Sequence, residues 1–287
     1  MEINASTKLC ILIGDPVEHS VSPNIHNAAF KALGLNYGYL AFAVKNPENA
    51  VAGIRGLGIR GASVTFPHKQ NVMPYLDELS QLAKKIKAVN TIVNESGKLI
   101  GHNTDGEAAY LSLIENGVNP ARKKIVILGA GGACRAIAFT LAGKPESGEI
   151  VLFDIEDKKA AALAKEVNAK SKALVRAEKM KRSILESELE NASVLINTSP
   201  VGVYPEVNQS PVPKSLIRKG LVVFDIVYNP GQTLLLKHAR QAGNKTIPGL
   251  EMLVRQAGEQ FRLWTGKKPP LAVMFRAGRK GLTAKPR

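Results

Sequence analysis

Lys69, Asn90 and Asp105 are polar residues that lie where apolar, strand-like segments end or helical patterns begin. An ammonium group can donate a proton to a carbonyl oxygen and stabilise the negative charge that develops there. A carboxylate within hydrogen-bond distance would keep that ammonium charged and aimed. A lone lysine after a turn is usually a solvated surface charge. Asn90 and Asp105 stand at the edge of an apolar strand and at the start of a helix, where they can point into a cleft, and this makes proton transfer a candidate chemistry.

A second constellation follows the apolar segment KIVILG, at residues 124–129. Glycines there allow a tight turn and a close approach to a pyrophosphate, whose charge is stabilised at the amino end of the next helix. The next strand-like segment ends in Asp154, 22 residues after Gly132, which is close to the spacing of a ribose-binding acid. The sequence therefore predicts a Rossmann-type dinucleotide site built from Gly129, Ala130, Gly131, Gly132, Ala133 and Asp154.

Asp154 also bears on the choice of cofactor, because a carboxylate bound to the adenosine ribose would repel a 2′-phosphate. At a separation of about 5 Å and an effective dielectric of about 20, the repulsion is roughly 3 kcal/mol, or about a hundredfold in affinity. Glu156 and Asp157 add to it, whereas Lys158 and Lys159 could swing toward a phosphate. We expect NAD to be preferred, with NADP possible.

These residues are positioned by short apolar segments that alternate with helical patterns along the chain, which predicts an α/β architecture with parallel sheets. We expect an N-terminal α/β substrate domain at 1–105, a doubly wound Rossmann domain at 106–249, and a C-terminal helix that returns to complete the first domain at 250–275. Residues 276–287 are expected to form a basic, flexible tail.

Composition restricts the class of protein further. No run approaches the roughly 18 apolar residues of a membrane span, and the first apolar stretch is too short for a signal peptide. Two cysteines without a pairing motif are typical of a reducing cytosol, so we expect a cytoplasmic protein, monomeric or homodimeric. Seven of the basic residues behind the net charge of +15 follow Thr265, which favours a solvated end over a nucleic-acid-binding arm.

Four dispersed segments resemble the shikimate dehydrogenase family. GDPVEHSVSPNIHNAAF at 14–30 resembles its Ser-x-Ser-Pro substrate loop, GASVTFPHK at 61–69 its GxNVTxPxK motif, and AVNTIV at 88–93 and GHNTDG at 101–106 two further family motifs. Ser63 stands where the family usually has Asn. The Ser22-Pro23 pair is also typical of a helix N-cap followed by Pro at the first helical position.

The resemblance implies reversible reduction of 3-dehydroshikimate to shikimate with a nicotinamide cofactor. It makes Lys69 and Asp105 the catalytic pair. It assigns substrate contacts to Ser20, Ser22, Thr65, Asn90, Tyr228 and Gln256. Further cofactor contacts would come from Asn197, Thr198, Gly249 and Met252.

Two alternatives stay open on the sequence. The first is the quinate-oriented, often NAD-using branch of the same family, which Asp154 favours and the Ser-x-Ser pair disfavours. The second is a non-catalytic nucleotide-binding regulator on the same fold. A metal enzyme is disfavoured, because the five histidines lack metal-ligand spacing.

Overall fold

The computed structural model describes residues 3–283 of the chain. The strands are β1 Lys8–Gly14, β2 Tyr37–Ala43, β3 Gly61–Val64, β4 Glu78–Leu79, β5 Thr91–Glu95, β6 Lys98–His102, β7 Ile125–Leu128, β8 Ile150–Asp154, β9 Val175–Lys179, β10 Val194–Asn197, β11 Val222–Asp225 and β12 Thr246–Ile247. The helices are α1 Ser22–Ala32, α2 Pro47–Gly56, α3 Gln81–Ile86, α4 Asp105–Glu115, α5 Gly132–Gly143, α6 Asp157–Asn168, α7 Arg182–Glu190, α8 Leu234–Gln241, α9 Gly249–Thr265 and α10 Leu271–Thr283.

The chain divides into two compact units, each built on its own sheet. The first comprises the residues up to Asp105 together with those from Val254 onward, and the second comprises Gly106–Leu253. The predicted α/β architecture is confirmed. Among the described residues, no helix is both long and apolar enough to cross a membrane.

The first unit has a six-stranded sheet in the order β2-β1-β3-β5-β6-β4. Its strands β1, β2 and β3 pair in parallel, but β5 runs antiparallel to both of its neighbours, which the prediction of parallel sheets did not include. A two-residue turn at Ser96 and Gly97, both with positive φ, joins β5 to β6. The reversal places the residue before β5 at the same sheet edge as the residues after β1, β3 and β6.

The second unit has six parallel strands in the order β12-β11-β10-β7-β8-β9. Connections from β7 proceed outward through β8 to β9, whereas β10 starts the other half, so the strand order reverses between β7 and β10. In such a doubly wound sheet a ligand binds outside the carboxyl ends of the strands at this switch point. Gly129, which follows β7, lies there.

The prediction of a flexible tail at 276–287 was wrong as far as Thr283. Helix α10 covers this segment, packs against α1, and buries Met274 and Gly278. A Cβ atom at Gly281 would lie 3.0 Å from the Val21 side chain, so glycine allows α10 to approach α1 closely. The basic composition of the segment gave no sign of this packing. Residues 284–287, the end of the predicted tail, lie outside the described residues.

Trp264 and His26 form the aromatic core of the first unit. The Trp264 indole N–H donates to the Ile92 carbonyl oxygen at 3.0 Å, and a Cβ atom at Gly61 would lie 2.1 Å from that nitrogen. The ring of His26, which is 0% exposed, stacks on Tyr39 with centroids 4.4 Å apart. Burial, partly opposed by Gln260, lowers the pKa of His26 to about 3.

We therefore predict that the first unit loses stability as the pH falls below about 6.5. Between that pH and about 3 the unfolded chain binds a proton at His26 that the folded chain does not, so the free energy of unfolding falls by up to about 1.4 kcal/mol per pH unit. His26→Leu should flatten this part of the dependence. Urea unfolding at pH 6.5 and 4.5, followed by the fluorescence of Trp264, measures it.

The control is His19→Gln, because the His19 side chain is exposed. Equal acid sensitivity in the wild type and His26→Leu would contradict the prediction.

Candidate active site

The site in the first unit is assembled where two loops and two chain segments meet at one sheet edge. The loop after β1 is bonded to the loop after β3 through the Asp15 N–H and the Phe66 carbonyl oxygen, at 3.0 Å. The carbonyl of Lys69 accepts from the N–H of Val89 at 2.7 Å, which ties the β3 loop to the segment before β5. His68, which is buried, anchors the loop after β3 to the residue after β2, with Nε2 2.6 Å from the Val44 carbonyl oxygen.

Lys69 and Asp105 form an ion pair in which Lys69 Nζ donates to Asp105 Oδ2. The other carboxylate oxygen accepts from Asn90 Nδ2 at 2.8 Å. The Asp105 side chain is 6% exposed, whereas the Lys69 side chain is 19% exposed. The structure therefore brings the three residues of the first sequence prediction into direct contact, with the acid buried and the lysine partly accessible.

Asn103 and Thr104 complete the surroundings of this carboxylate, and the sequence prediction did not assign either of them a role in the site. Asn103 Oδ1 accepts from the backbone N–H of Asp105 at 3.1 Å, and its Nδ2 donates to the Ala88 carbonyl at 3.0 Å. Thr104 Oγ1 accepts from Asn90 at 2.9 Å. The sequence feature that could have identified both residues is their position inside the GHNTDG segment, directly before Asp105.

Three predicted substrate contacts lie on or directly after the loops at this sheet edge: Ser20, Ser22 and Thr65. Thr65, partly exposed, opens the loop after β3 and donates its N–H to the Ile13 carbonyl at 2.9 Å. A Cβ atom at Gly14 would lie 2.2 Å from the Thr65 methyl group, so this contact requires glycine. Ser20 is partly exposed and Ser22 is buried.

The prediction that Ser22 is a helix N-cap was wrong. Helix α1 begins at Ser22 itself, its N-cap residue is Val21, and no side chain caps it. The Ser22 N–H instead donates to Ser20 Oγ at 3.2 Å. The reason is that Pro23, the second helical residue, has no N–H for a cap to bind, while the N–H of Ser22 is already bonded to Ser20.

Gln256 is a predicted substrate contact, and Ser63 is the residue that departs from the GxNVTxPxK motif. Gln256, on the first-unit part of α9, accepts from Thr104 Oγ1 through its backbone carbonyl at 3.3 Å. Ser63 is buried and hydrogen-bonded to Tyr39 and to Gln260, at 2.7 and 2.8 Å. Gln260 was missed by the sequence prediction, although it lies one helical turn after Gln256, on the same face of α9.

In the second unit, the turn after β7 has the geometry that a dinucleotide requires. Gly129 has a φ of +96°, which favours glycine, and a Cβ atom there would lie 2.8 Å from Thr198 Oγ1. Gly131 is exposed, with open space where a side chain would lie. Helix α5 starts at Gly132, and Ala133 lies in its first turn. The open backbone and the helix amino end therefore fit a pyrophosphate.

Asp154 is bonded directly to this turn. Its Oδ2 accepts from the Ala130 N–H at 2.6 Å, and its Oδ1 accepts from the Glu156 N–H at 2.8 Å. Lys159 pairs with the Glu156 carboxylate. The carboxylate thus lies at the carboxyl end of β8 beside the glycine turn.

Asn197 and Thr198, at the end of β10, support the loop that follows. Asn197 is fully buried, donates to Asp225 Oδ1 at 2.9 Å, and accepts from the Ser199 hydroxyl at 2.6 Å. Burial raises the pKa of Asp225 to about 6, although hydrogen bonds from Thr233, the Val227 N–H and Asn197 oppose it. Thr198 Oγ1 donates to the Leu128 carbonyl at 2.7 Å.

Three predicted residues remain, and all belong to the second unit: Tyr228, Gly249 and Met252. Lys69 belongs to the first unit. Tyr228 is half-buried in the loop after β11. Gly249 begins α9, and a Cβ atom there would lie 2.3 Å from the Ile226 carbonyl oxygen, so glycine is required. Met252 is buried on α9.

Each unit thus has one chemical capability. The first presents an ammonium beside a buried carboxylate, which suits proton transfer and the stabilisation of negative charge on oxygen. The second presents a glycine turn, a helix amino end and an acid after the next strand, which suits a dinucleotide.

Three stretches of the chain match models of known protein families. Residues 12–92 match the family described as Shikimate dehydrogenase substrate binding domain, and residues 249–277 match Shikimate 5'-dehydrogenase C-terminal domain. Residues 125–247 match Saccharopine dehydrogenase NADP binding domain.

A curated relative from Moorella thermoacetica, named Shikimate dehydrogenase (NADP(+)), is 45% identical over 99% of this chain and 97% of its own length. A crystal structure of shikimate dehydrogenase in complex with NADP+ is 43% identical, with a TM-score of 0.91 over 99% of this chain and 98% of that chain. The Listeria monocytogenes enzyme, in complex with shikimate and NAD, is 36% identical, with a TM-score of 0.86 over 96% and 97%. The chain belongs to the shikimate dehydrogenase family.

Proposed function

We propose that the chain catalyses the reversible reduction of 3-dehydroshikimate to shikimate with a nicotinamide cofactor. The observation that carries this proposal is the contact of Lys69 and Asn90 with the buried carboxylate of Asp105, in a chain whose relatives are named for this activity. The co-occurrence of this cluster with a dinucleotide turn favours an enzyme over a binding-only regulator. Relatives named for shikimate favour that substrate over quinate.

Lys69 is the proton donor in this proposal. During reduction its ammonium gives a proton to the ketone oxygen and stabilises the charge that develops there. The reduced nicotinamide supplies the hydride to the ketone carbon when it is bound. In the oxidative direction neutral Lys69 accepts the proton of the substrate hydroxyl. Asp105 stays a carboxylate throughout and keeps Lys69 in place, and it accepts from an adjacent substrate hydroxyl.

The other substrate contacts follow from the chemistry of each side chain. The hydroxyls of Ser20 and Ser22 donate to the substrate carboxylate, whereas Thr65, Asn90, Tyr228 and Gln256 hydrogen-bond the hydroxyl groups carried by its ring. Ser20 and Thr65 are partly exposed on the loops after β1 and β3, which supports an accessible binding surface there. The free, buried cysteines Cys10 and Cys134 are consistent with a cytoplasmic location.

We propose further that this chain uses NAD in preference to NADP. The relatives named for NADP(+) favour NADP, and the residues at the end of β8 are the observation that favours NAD. Asp154 is bonded to the Ala130 N–H of the glycine turn, so a 2′-phosphate at the adenosine ribose would face its carboxylate. Lys159 is paired with Glu156, which reduces the positive charge available to such a phosphate.

Lys69→Ala should lower kcat by about two or more orders of magnitude, because it removes the proton donor, while the KM for shikimate changes severalfold at most. Steady-state shikimate oxidation measures both constants. The control is Lys98→Ala, which removes an exposed lysine paired with Glu78 and should leave kcat unchanged. Near-normal turnover of the Lys69 variant would refute the role proposed for this lysine.

The cofactor preference predicts a higher kcat/KM with NAD than with NADP in the wild type, and a shift toward NADP of about tenfold or more in Asp154→Asn. Assays of shikimate and quinate with each cofactor measure it. The matched control is Asp157→Asn, which replaces an exposed acid in the first turn of α6. It should change the ratio of kcat/KM with NADP to kcat/KM with NAD by far less. Equal or better efficiency with NADP in the wild type would reject the NAD preference, and faster turnover of quinate would reject shikimate as the main substrate.

A further inference from the structure

A continuous chain of hydrogen bonds runs through the first unit and ends on Asp105. It starts at the Tyr39 hydroxyl on β2 and passes from strand to helix and back. Its members, which we call the relay, are Tyr39, Ser63, Gln260, Thr91 and Asn90. Each of them is at most 5% exposed, so the protein itself supplies the partners that water would supply at a surface.

The backbone carbonyl of Asn90 fixes the direction of the first half of the relay. Because a carbonyl oxygen only accepts, Gln260 must present Nε2 to it, at 3.1 Å. Gln260 Oε1 therefore faces Ser63, whose hydroxyl must donate across 2.8 Å. The Ser63 oxygen is then left to accept from Tyr39, at 2.7 Å.

The backbone N–H of Thr104 fixes the second half. Because this group only donates, it requires the oxygen of the Asn90 amide, at 2.9 Å, and turns Nδ2 toward Asp105. Thr91 Oγ1 donates to the same Asn90 oxygen at 2.7 Å and accepts from Gln260 Nε2 at 3.1 Å. Every hydrogen bond of the relay therefore donates in one direction, from Tyr39 toward Asp105.

We propose that the relay is a positioning device for the reaction, with Tyr39, Ser63 and Gln260 acting on turnover through Asn90 and Asp105. Hydrogen bonds that donate in one direction polarise one another, so each upstream donor strengthens the final Asn90 bond to the carboxylate. That bond holds the carboxylate of Asp105, whose other oxygen accepts from Lys69 Nζ. This inference rests on the roles proposed for Lys69 and Asp105.

The relay also accounts for the serine at position 63. A hydroxyl oxygen accepts one hydrogen bond and donates another through a single atom, which lets Ser63 join Tyr39 to Gln260 inside the core. Alanine at this position would leave the Tyr39 hydroxyl and the Gln260 amide oxygen without these bonds. The serine hydroxyl therefore serves the relay in this chain.

The test compares Tyr39→Phe, Ser63→Ala and the double variant in shikimate oxidation. Each single variant should lower kcat about two- to fourfold, because it weakens the final Asn90 bond without removing it, and leave the KM for shikimate unchanged. The double variant should be no slower than Ser63→Ala, because Tyr39 acts through Ser63. Matched controls are Tyr37→Phe on the same strand and Ser112→Ala, a buried serine that donates to a helix carbonyl in the second unit.

A second readout does not depend on turnover. The side-chain amide signals of Asn90, observed by ¹⁵N NMR in the protein without substrate, should shift in Tyr39→Phe and in Ser63→Ala but in neither control. Unchanged kcat in folded single variants, additive losses in the double variant, or an unshifted Asn90 amide would each overturn the relay. Normal turnover of Lys69→Ala would instead refute the role of the lysine, and the shift of the Asn90 amide would still report on the relay.

Discussion

The carboxylate of Asp105 is the group around which the first unit is arranged. A buried carboxylate is costly unless opposite charge and hydrogen bonds compensate it, and here Lys69 and Asn90 each donate to one of its oxygens. Compensating this charge requires three chain segments to meet at the Asp105 carboxylate. The carboxyl ends of β3 and β6 bring the lysine and the acid, and the reversed strand β5 brings the asparagine to the same edge.

The second unit places a carboxylate by a different means. Asp154 accepts from the Ala130 and Glu156 backbone N–H groups, and both of its oxygens are therefore hydrogen-bonded at the carboxyl end of β8. This arrangement joins the acid to the glycine turn, whose open backbone and helix amino end favour negative charge. Asp105 needs a lysine to offset its burial, whereas Asp154 remains partly exposed to solvent and is held by backbone donors.

Local signals predicted much of this structure. Apolar runs predicted β7 and β8, and glycine spacing predicted the dinucleotide turn between them, because each depends on residues close in sequence. By contrast, β9 was missed because three of its five residues are charged and only Val175 is fully buried; its Arg176 is paired with Glu149, Glu178 and Glu188. Helix α10 was missed because glycines that look like breakers instead permit packing on α1. The bond between Ser63 and Gln260 joins residues 197 positions apart, which no local pattern specifies.

In the proposed reaction, an ionised Asp105 makes Lys69 competent for proton transfer. Asp105→Asn keeps the shape of the side chain and removes its charge, so the most direct measurement is the single-turnover rate of shikimate oxidation at saturating substrate, which is independent of binding. The account predicts a rate at least about a hundredfold below the wild type. A folded Asp105→Asn protein that oxidises shikimate within a few-fold of the wild-type rate would contradict it.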